Sequence, residues 1–213
     1  MIWYLPGCDV RRNHPEAVKK MTEYLLGKGL KQAICCRKDL SAIAEEDEII
    51  QNCTLCEMVL AERMPHNCRR SLYEYLLETD FVWPDWQGKT VTIQDCRRTK
   101  DNRALQDAVR ECLHRMNIEY VEMPQNHEQT EYCGIWYNTP IAPDLPEIVP
   151  ELSACLEQQR QLMTEAEQKA AMEAWVRQYR TEETAVYCNG CERGIRLGGG
   201  HPLHMIELLT RDL

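Results

Sequence analysis

No apolar run in this 213-residue chain approaches the ~20 residues a membrane-spanning helix needs. The opening stretch, Met1 to Gly7, has neither the basic start nor the long apolar core of a secretory leader. A cytoplasmic protein without a membrane span is expected. Positive charge is also in deficit: 25 Lys and Arg face 34 Asp and Glu, for a net charge of −9. That balance argues against nucleic acid as a partner, because a phosphate backbone needs a basic stripe. Arg97, Arg98 and Lys100 form the densest basic piece, and their acidic surroundings place them on a solvated surface. Nucleotide fingerprints are missing too. The run Gly198-Gly199-Gly200 fits neither the phosphate-loop pattern nor the glycine pattern of dinucleotide sites, so the chain carries no flavin or nicotinamide motif. No Ser/His/Asp grouping stands out, and His66 and His127 have no evident partner.

Cysteine, by contrast, is abundant, with twelve in the chain. Nine fall into two unequal copies of one pattern. The first is Cys8, the adjacent pair Cys35–Cys36, then Cys53 and Cys56 in a C-x-x-C. The second is Cys96, Cys133, then Cys188 and Cys191 at the same spacing. In a reducing compartment such a framework binds metal or does redox chemistry more readily than it forms structural disulfides. Thiolates gathered from distant positions are the ligands that soft metals and iron–sulfur clusters require.

Short β-type runs precede these cysteines. Ile2–Leu5 comes before Cys8, Gln32–Ile34 before Cys35, Glu48–Ile50 before Cys53, Val91–Ile93 before Cys96, and Thr184–Tyr187 before Cys188. Helical patterns lie between them. Pro15 suits a first helical turn, with Val18, Met21, Leu25 and Leu26 following at helical spacing up to Gly27 and Gly29. Ala104, Leu105, Ala108, Val109, Cys112 and Met116 form a second apolar face, leading into a strand at 118–121. This alternation predicts an α/β fold: two tandem small lobes with mainly parallel sheets, a pseudo-repeat with cysteines at the carboxyl ends of strands. The pattern breaks at Trp83-Pro84-Asp85-Trp86, which divides the chain into 1–82 and 83–213. The second part carries an extra polar segment, expected as one long helix over about 150–180, with Leu152, Cys155, Leu162, Met172 and Trp175 as its apolar positions. Its packing partner is expected to be its own domain, with a partner-binding role as the alternative.

These motifs resemble the cysteine-rich CCG-domain family, found in heterodisulfide reductase, glycolate oxidase iron–sulfur subunits, anaerobic glycerol-3-phosphate dehydrogenase and lactate-utilisation proteins. The likeness covers most of the chain. Tyr4-Leu5-Pro6-Gly7-Cys8 resembles the family's opening, and Asn52–Cys56 with 72–77 resembles the close of a first copy. Val91–Arg97 resembles the start of a second copy, and 198–209 its tail. Two departures stand out. Arg37 follows the first doublet where the family has Gly, and Tyr132 replaces one cysteine of the second doublet.

Five thiols in the first copy (Cys8, Cys35, Cys36, Cys53, Cys56) exceed the four that a cubane [4Fe–4S] cluster takes. The resemblance implies that a non-cubane cluster able to split disulfides could sit there. Cys96, Cys133, Cys188 and Cys191 suffice for an ordinary four-thiolate cluster. The expected function is electron transfer, extending to reduction of a small disulfide, within a larger complex. One or two clusters would serve it, with electrons from a flavoprotein or another iron–sulfur subunit. The first site would then react and the second relay. Alternatives are zinc at either site in a structural or scaffolding protein, a metal-free dithiol at Cys53/Cys56 or Cys188/Cys191, and a cluster-bearing sensor or accessory protein. Cys112 and Cys155 are read as buried small hydrophobes and Cys68 as structural. Gly198–Gly200 is expected as a turn and Pro202 as the first residue of a helix, with His201 and His204 flanking it; a ligand or proton-donor role is their alternative. Trp83, Trp86, Trp136 and Tyr137 are candidates for a docking surface, or else for the core between the lobes.

Overall fold

The computed structural model describes residues 1–134 and 140–213. Trp136 and Tyr137 therefore lie outside the described residues. Two four-stranded, wholly parallel sheets organise the chain. The first contains β1 (Ile2–Leu5), β2 (Lys31–Gln32), β3 (Glu48–Gln51) and β4 (Cys68–Ser71), in the order β2-β1-β3-β4. The second contains β5 (Lys89–Ile93), β6 (Ile118–Glu122), β7 (Glu183–Val186) and β8 (His201–His204), in the order β6-β5-β7-β8. The second sheet repeats the arrangement of the first strand for strand. Central strands are apolar on both faces, as parallel strands covered by helices must be: Tyr4, Leu5, Ile49, Ile50, Val91, Ile93, Ala185 and Val186 are all buried. Registers align the strand ends, with Leu5 opposite Gln51, Gln51 opposite Ser71, and Val186 opposite His204. Every segment that leaves a carboxyl end thus starts from one edge of its sheet.

The helices between them follow the predicted periodicities. In the first lobe these are α1 (Cys8–Asn13), α2 (Pro15–Gly27), α3 (Thr54–Arg63) and α4 (Leu72–Leu77). Pro15 opens α2, where its missing N–H costs nothing. Ser71 and Glu74 cap α4 reciprocally. In the second lobe α5 (Arg103–Arg115) is capped by the Asn102 side chain, which accepts from the Leu105 N–H at 3.0 Å. It buries Leu105, Ala108, Val109, Cys112 and Leu113. The chain then runs through α6 (Leu145–Ile148), α7 (Pro150–Gln158), α8 (Glu165–Val176), α9 (Asn189–Leu197) and α10 (Met205–Leu209).

The lobes meet through equivalent surfaces. Helix α4 packs on α5, and its counterpart α10 packs on α2, the counterpart of α5. Likewise α1 packs on α9, while the short turn at Arg97–Thr99 packs on α3. Reciprocal contacts of this kind are what a pseudo-twofold axis between repeats produces. One continuous core includes Tyr73 and Leu76 from the first lobe with Cys112 and Leu113 from the second.

Three expectations change. The long helix over 150–180 is two helices, separated at 159–164. Thr164 starts the second with a capping box: its hydroxyl accepts from the Glu167 N–H at 3.3 Å, and the Glu167 carboxylate accepts from the Thr164 N–H at 2.8 Å. Leu162 in the break is exposed, and so is Cys155, which is not the buried small residue its apolar spacing suggested. Helix α8 packs on α9 in its own lobe, whereas α7 reaches the first lobe and contacts α3. There the Glu62 carboxylate accepts from the N–H groups of Glu151 (3.1 Å) and Leu152 (2.8 Å). Pro202, for its part, is not a helix start. It lies in the edge strand β8, where a proline has no ladder bond to lose on its outer side. The preceding Gly198–Gly200 do form a turn. No described helix is long and apolar enough to cross a membrane.

Candidate metal centre

Cys96 lies just beyond β5, Cys188 is the residue before α9, and Cys191 is in the first turn of that helix. Their sulfur atoms lie within 4.8 Å of one another, and all three residues are buried. This group can bind a metal ion. Cys133, also buried, arrives on the loop after β6, and its thiol is within hydrogen-bonding reach of Cys96 and Cys191. That approach depends on two facing glycines. A Cβ on Gly194 of α9 would stand 2.3 Å from the Gly134 Cα, so only glycines let the Cys133 loop lie on the helix. Tyr132 directly precedes Cys133. Its ring stacks on Trp175 with centroids 5.0 Å apart, and its hydroxyl donates to the Cys191 carbonyl at 3.3 Å.

The four thiols share protons. Hydrogen bonds from Cys191 and Cys96 hold Cys133 and Cys188 well below the usual thiol range, and the Arg98 guanidinium adds to the effect. Donation to Cys133 and Cys188 raises Cys96, while burial, followed by donation, raises Cys191. A cation bound among these thiols would displace their protons, and Cys133 and Cys188 would release theirs most readily.

Site one is a chain of contacts rather than a knot. Cys56 hydrogen-bonds to Cys36 and to Cys53, lowering both, and is itself raised. Cys35 adjoins Cys36, and Cys8 lies beside Cys35 and Cys53, its thiol pushed up by burial and then by those neighbours. Cys8, Cys35 and Cys53 are partly exposed, and the five do not close into the compact grouping seen at the second site. Gly7 lets Cys8 approach: its φ is +81°, and a Cβ there would meet the Cys53 Cβ at 2.9 Å.

The two sites adjoin across the pseudo-dyad. The Thr54 hydroxyl, next to Cys53, donates to the Cys188 sulfur at 3.5 Å. Arg98 interacts with Cys133, Cys188 and Cys96 of one site and with Cys53 of the other. It is therefore part of the centre, not of the solvated surface that its acidic neighbours in sequence suggested.

Sequence reasoning also missed Asp95. Wholly buried, its carboxylate takes Arg110 in a two-pronged ion pair (2.8 and 3.2 Å), the Tyr187 hydroxyl (2.8 Å) and the His127 N–H (2.9 Å). Asp95 precedes Cys96, Tyr187 precedes Cys188, and His127 lies on the loop leading to Cys133, so one carboxylate ties together three of the cysteine-bearing segments. Breaking such a pair leaves a buried charge uncompensated.

His14 of the first lobe is a second such tie. Its ring joins Glu192 at 2.8 Å and Glu207 at 3.0 Å, and packs on His204 with centroids 4.7 Å apart. Burial and the neighbouring His14 push His204 down to about 4, so it is neutral near pH 7. Its Nδ1 accepts from the Ile206 N–H at 3.2 Å, which makes it a helix cap. His201 is exposed. Cys112 is buried at the lobe interface, with its sulfur 3.8 Å from the Tyr73 carbonyl, whereas Cys68 is exposed at the start of β4. Trp83 and Trp86 pack against the core; the Trp86 indole donates to the Leu208 carbonyl at 3.2 Å.

No family model, curated protein or solved structure matches this chain.

Proposed function

We propose that this chain is an iron–sulfur redox protein of the cysteine-rich CCG-domain type, which passes electrons to a small acceptor at its first site. Cys96, Cys133, Cys188 and Cys191 would hold a [4Fe–4S] cluster. Cys8, Cys35, Cys36, Cys53 and Cys56 would hold a second, with a thiol in excess of the cubane's need. Such clusters supply one-electron steps, and two of these, with two protons, would reduce a disulfide to two thiols. A flavoprotein or another iron–sulfur protein would deliver the electrons.

The observation that carries this reading is the adjacency of the two thiol sets, one hydrogen bond apart through Thr54 and Cys188. Neighbouring centres suit electron relay, whereas two structural ions have no need to adjoin. The chain's residues add two things. Thr54 and Arg98 place a donor and a positive charge against cysteine sulfurs, which would raise the potential of a cluster held there. Burial limits water at the second site, of whose cysteines Cys188 borders the cavity beside the first.

One observation favours zinc at the second site. Zn–S bonds near 2.3 Å put tetrahedral ligand sulfurs about 3.8 Å apart, and the Cys96, Cys188 and Cys191 sulfurs lie within 4.8 Å of one another. A colour test separates the readings. Protein purified without oxygen is expected to be brown and to bleach when dithionite is added. Colourless protein that retains zinc through gel filtration would overturn the redox reading.

A further inference from the structure

A cavity of about 290 Å³ opens over the first thiol site, with Cys8, Cys36, Cys53 and Cys56 in its lining. Its size is at the small end for small-molecule sites. The opposite wall comes from the segment inserted between β6 and β7, which supplies Ile141, Leu145 and Leu156. That segment is fastened to the first lobe at two points. Arg37, beside the thiols, pairs with Asp144 at 2.6 Å, and the Glu62 carboxylate caps α7. The insertion thus gives the first site a roof.

Charge in this cavity runs against that of the whole chain. The net charge is −9, yet among the described residues five arginines line the cavity (Arg12, Arg37, Arg98, Arg160 and Arg193) against one acidic residue, Asp9. Arg37 and Arg98 interact with the thiols, which they can neutralise. Arg12, Arg160 and Arg193 complete the basic lining. Arg12 and Arg193 share Asp9, at 3.3 and 3.1 Å. Arg160 turns its Nη1 to Glu157 at 2.8 Å, and its buried Nε finds no partner among the described residues. Guanidinium groups match carboxylates in planar, paired geometry, and low-dielectric walls strengthen that attraction.

We infer that this cavity binds a small organic acid, its carboxylate drawn to the arginines of the lining, Arg160 and Arg193 among them, and its body between the thiol floor and the apolar roof. This deepens the redox reading by naming the class of acceptor. It rests on that reading for the disulfide but not for the anion.

Three disulfides of similar size test it by calorimetry on anaerobically purified protein: dithiodipropionate (two carboxylates), hydroxyethyl disulfide (neutral) and cystamine (two ammonium groups). Dithiodipropionate is expected to bind at least tenfold more tightly than the neutral compound, and cystamine not to bind. Arg160→Gln and Arg193→Gln should each weaken dithiodipropionate binding several-fold, with Arg160→Lys recovering part of the loss. Cluster content, measured on the same samples, reports whether each variant is intact. Equal binding of all three compounds, or no binding of dithiodipropionate, by cluster-loaded protein overturns the pocket and leaves the clusters standing. Selective dithiodipropionate binding by protein that holds zinc or no metal supports the pocket and overturns the redox reading.

Discussion

His14 shows at the scale of one residue how the lobes are held. Burial alone would push its imidazole down, but hydrogen bonds to Glu192 and Glu207 outweigh that and raise it to about 9. An unfolded histidine titrates near 6.5. A group raised on folding contributes stability that is complete below its unfolded value and lost as pH climbs through the folded one. The contribution is about 2 kcal/mol once solvent screening is allowed for. His14→Gln is therefore expected to lower the melting temperature clearly at pH 6, with the gap to the parent narrowing by pH 10. Thermal unfolding across that range checks it; a gap that does not change with pH would show that the ring acts by packing alone. Nothing in the sequence marked this residue, because its partners lie 178 and 193 positions away.

Among elements, α9 carries the heaviest requirement. It presents Cys191, receives the Cys133 loop, and contacts α1 and α8. Gly194 permits the loop contact. Gly194→Ala would drive a methyl group into the Gly134 backbone and lift Cys133 from its site. Overpacking of this kind costs about 1–3 kcal/mol, and iron per chain is expected to fall by about half as the second site empties. Full iron retention would mean that Cys133 is dispensable. Much at this scale was legible in the sequence. β-type runs before cysteines located the central strands, and Pro15 located α2. The apolar stripe from Ala104 to Met116 located α5. Legibility ended where local signals compete. The Thr164–Glu167 capping box is hidden within a helix-rich composition. Pro202 looks like a helix start because strand β8 is short and at an edge. Arg98 and Asp95 were unreadable for another reason: their roles depend on which loops meet, and only the tertiary structure decides that.

For the whole molecule, the repeat is the organising fact. Two sheets of the same strand order meet through equivalent helices, so the carboxyl ends that carry the cysteines come together at one place. The copies have diverged in complementary ways. The first keeps five thiols and is roofed by the other lobe's insertion; the second has Tyr132 in place of a cysteine and is buried. The cysteine spacing suggested two thiol sets, but their adjacency follows from the pseudo-dyad and could not be read from either copy alone. The most direct measurement is iron, zinc and acid-labile sulfide per chain, on protein purified without oxygen. The account predicts about eight irons with matching sulfide, four for each site. Zinc without sulfide would contradict it.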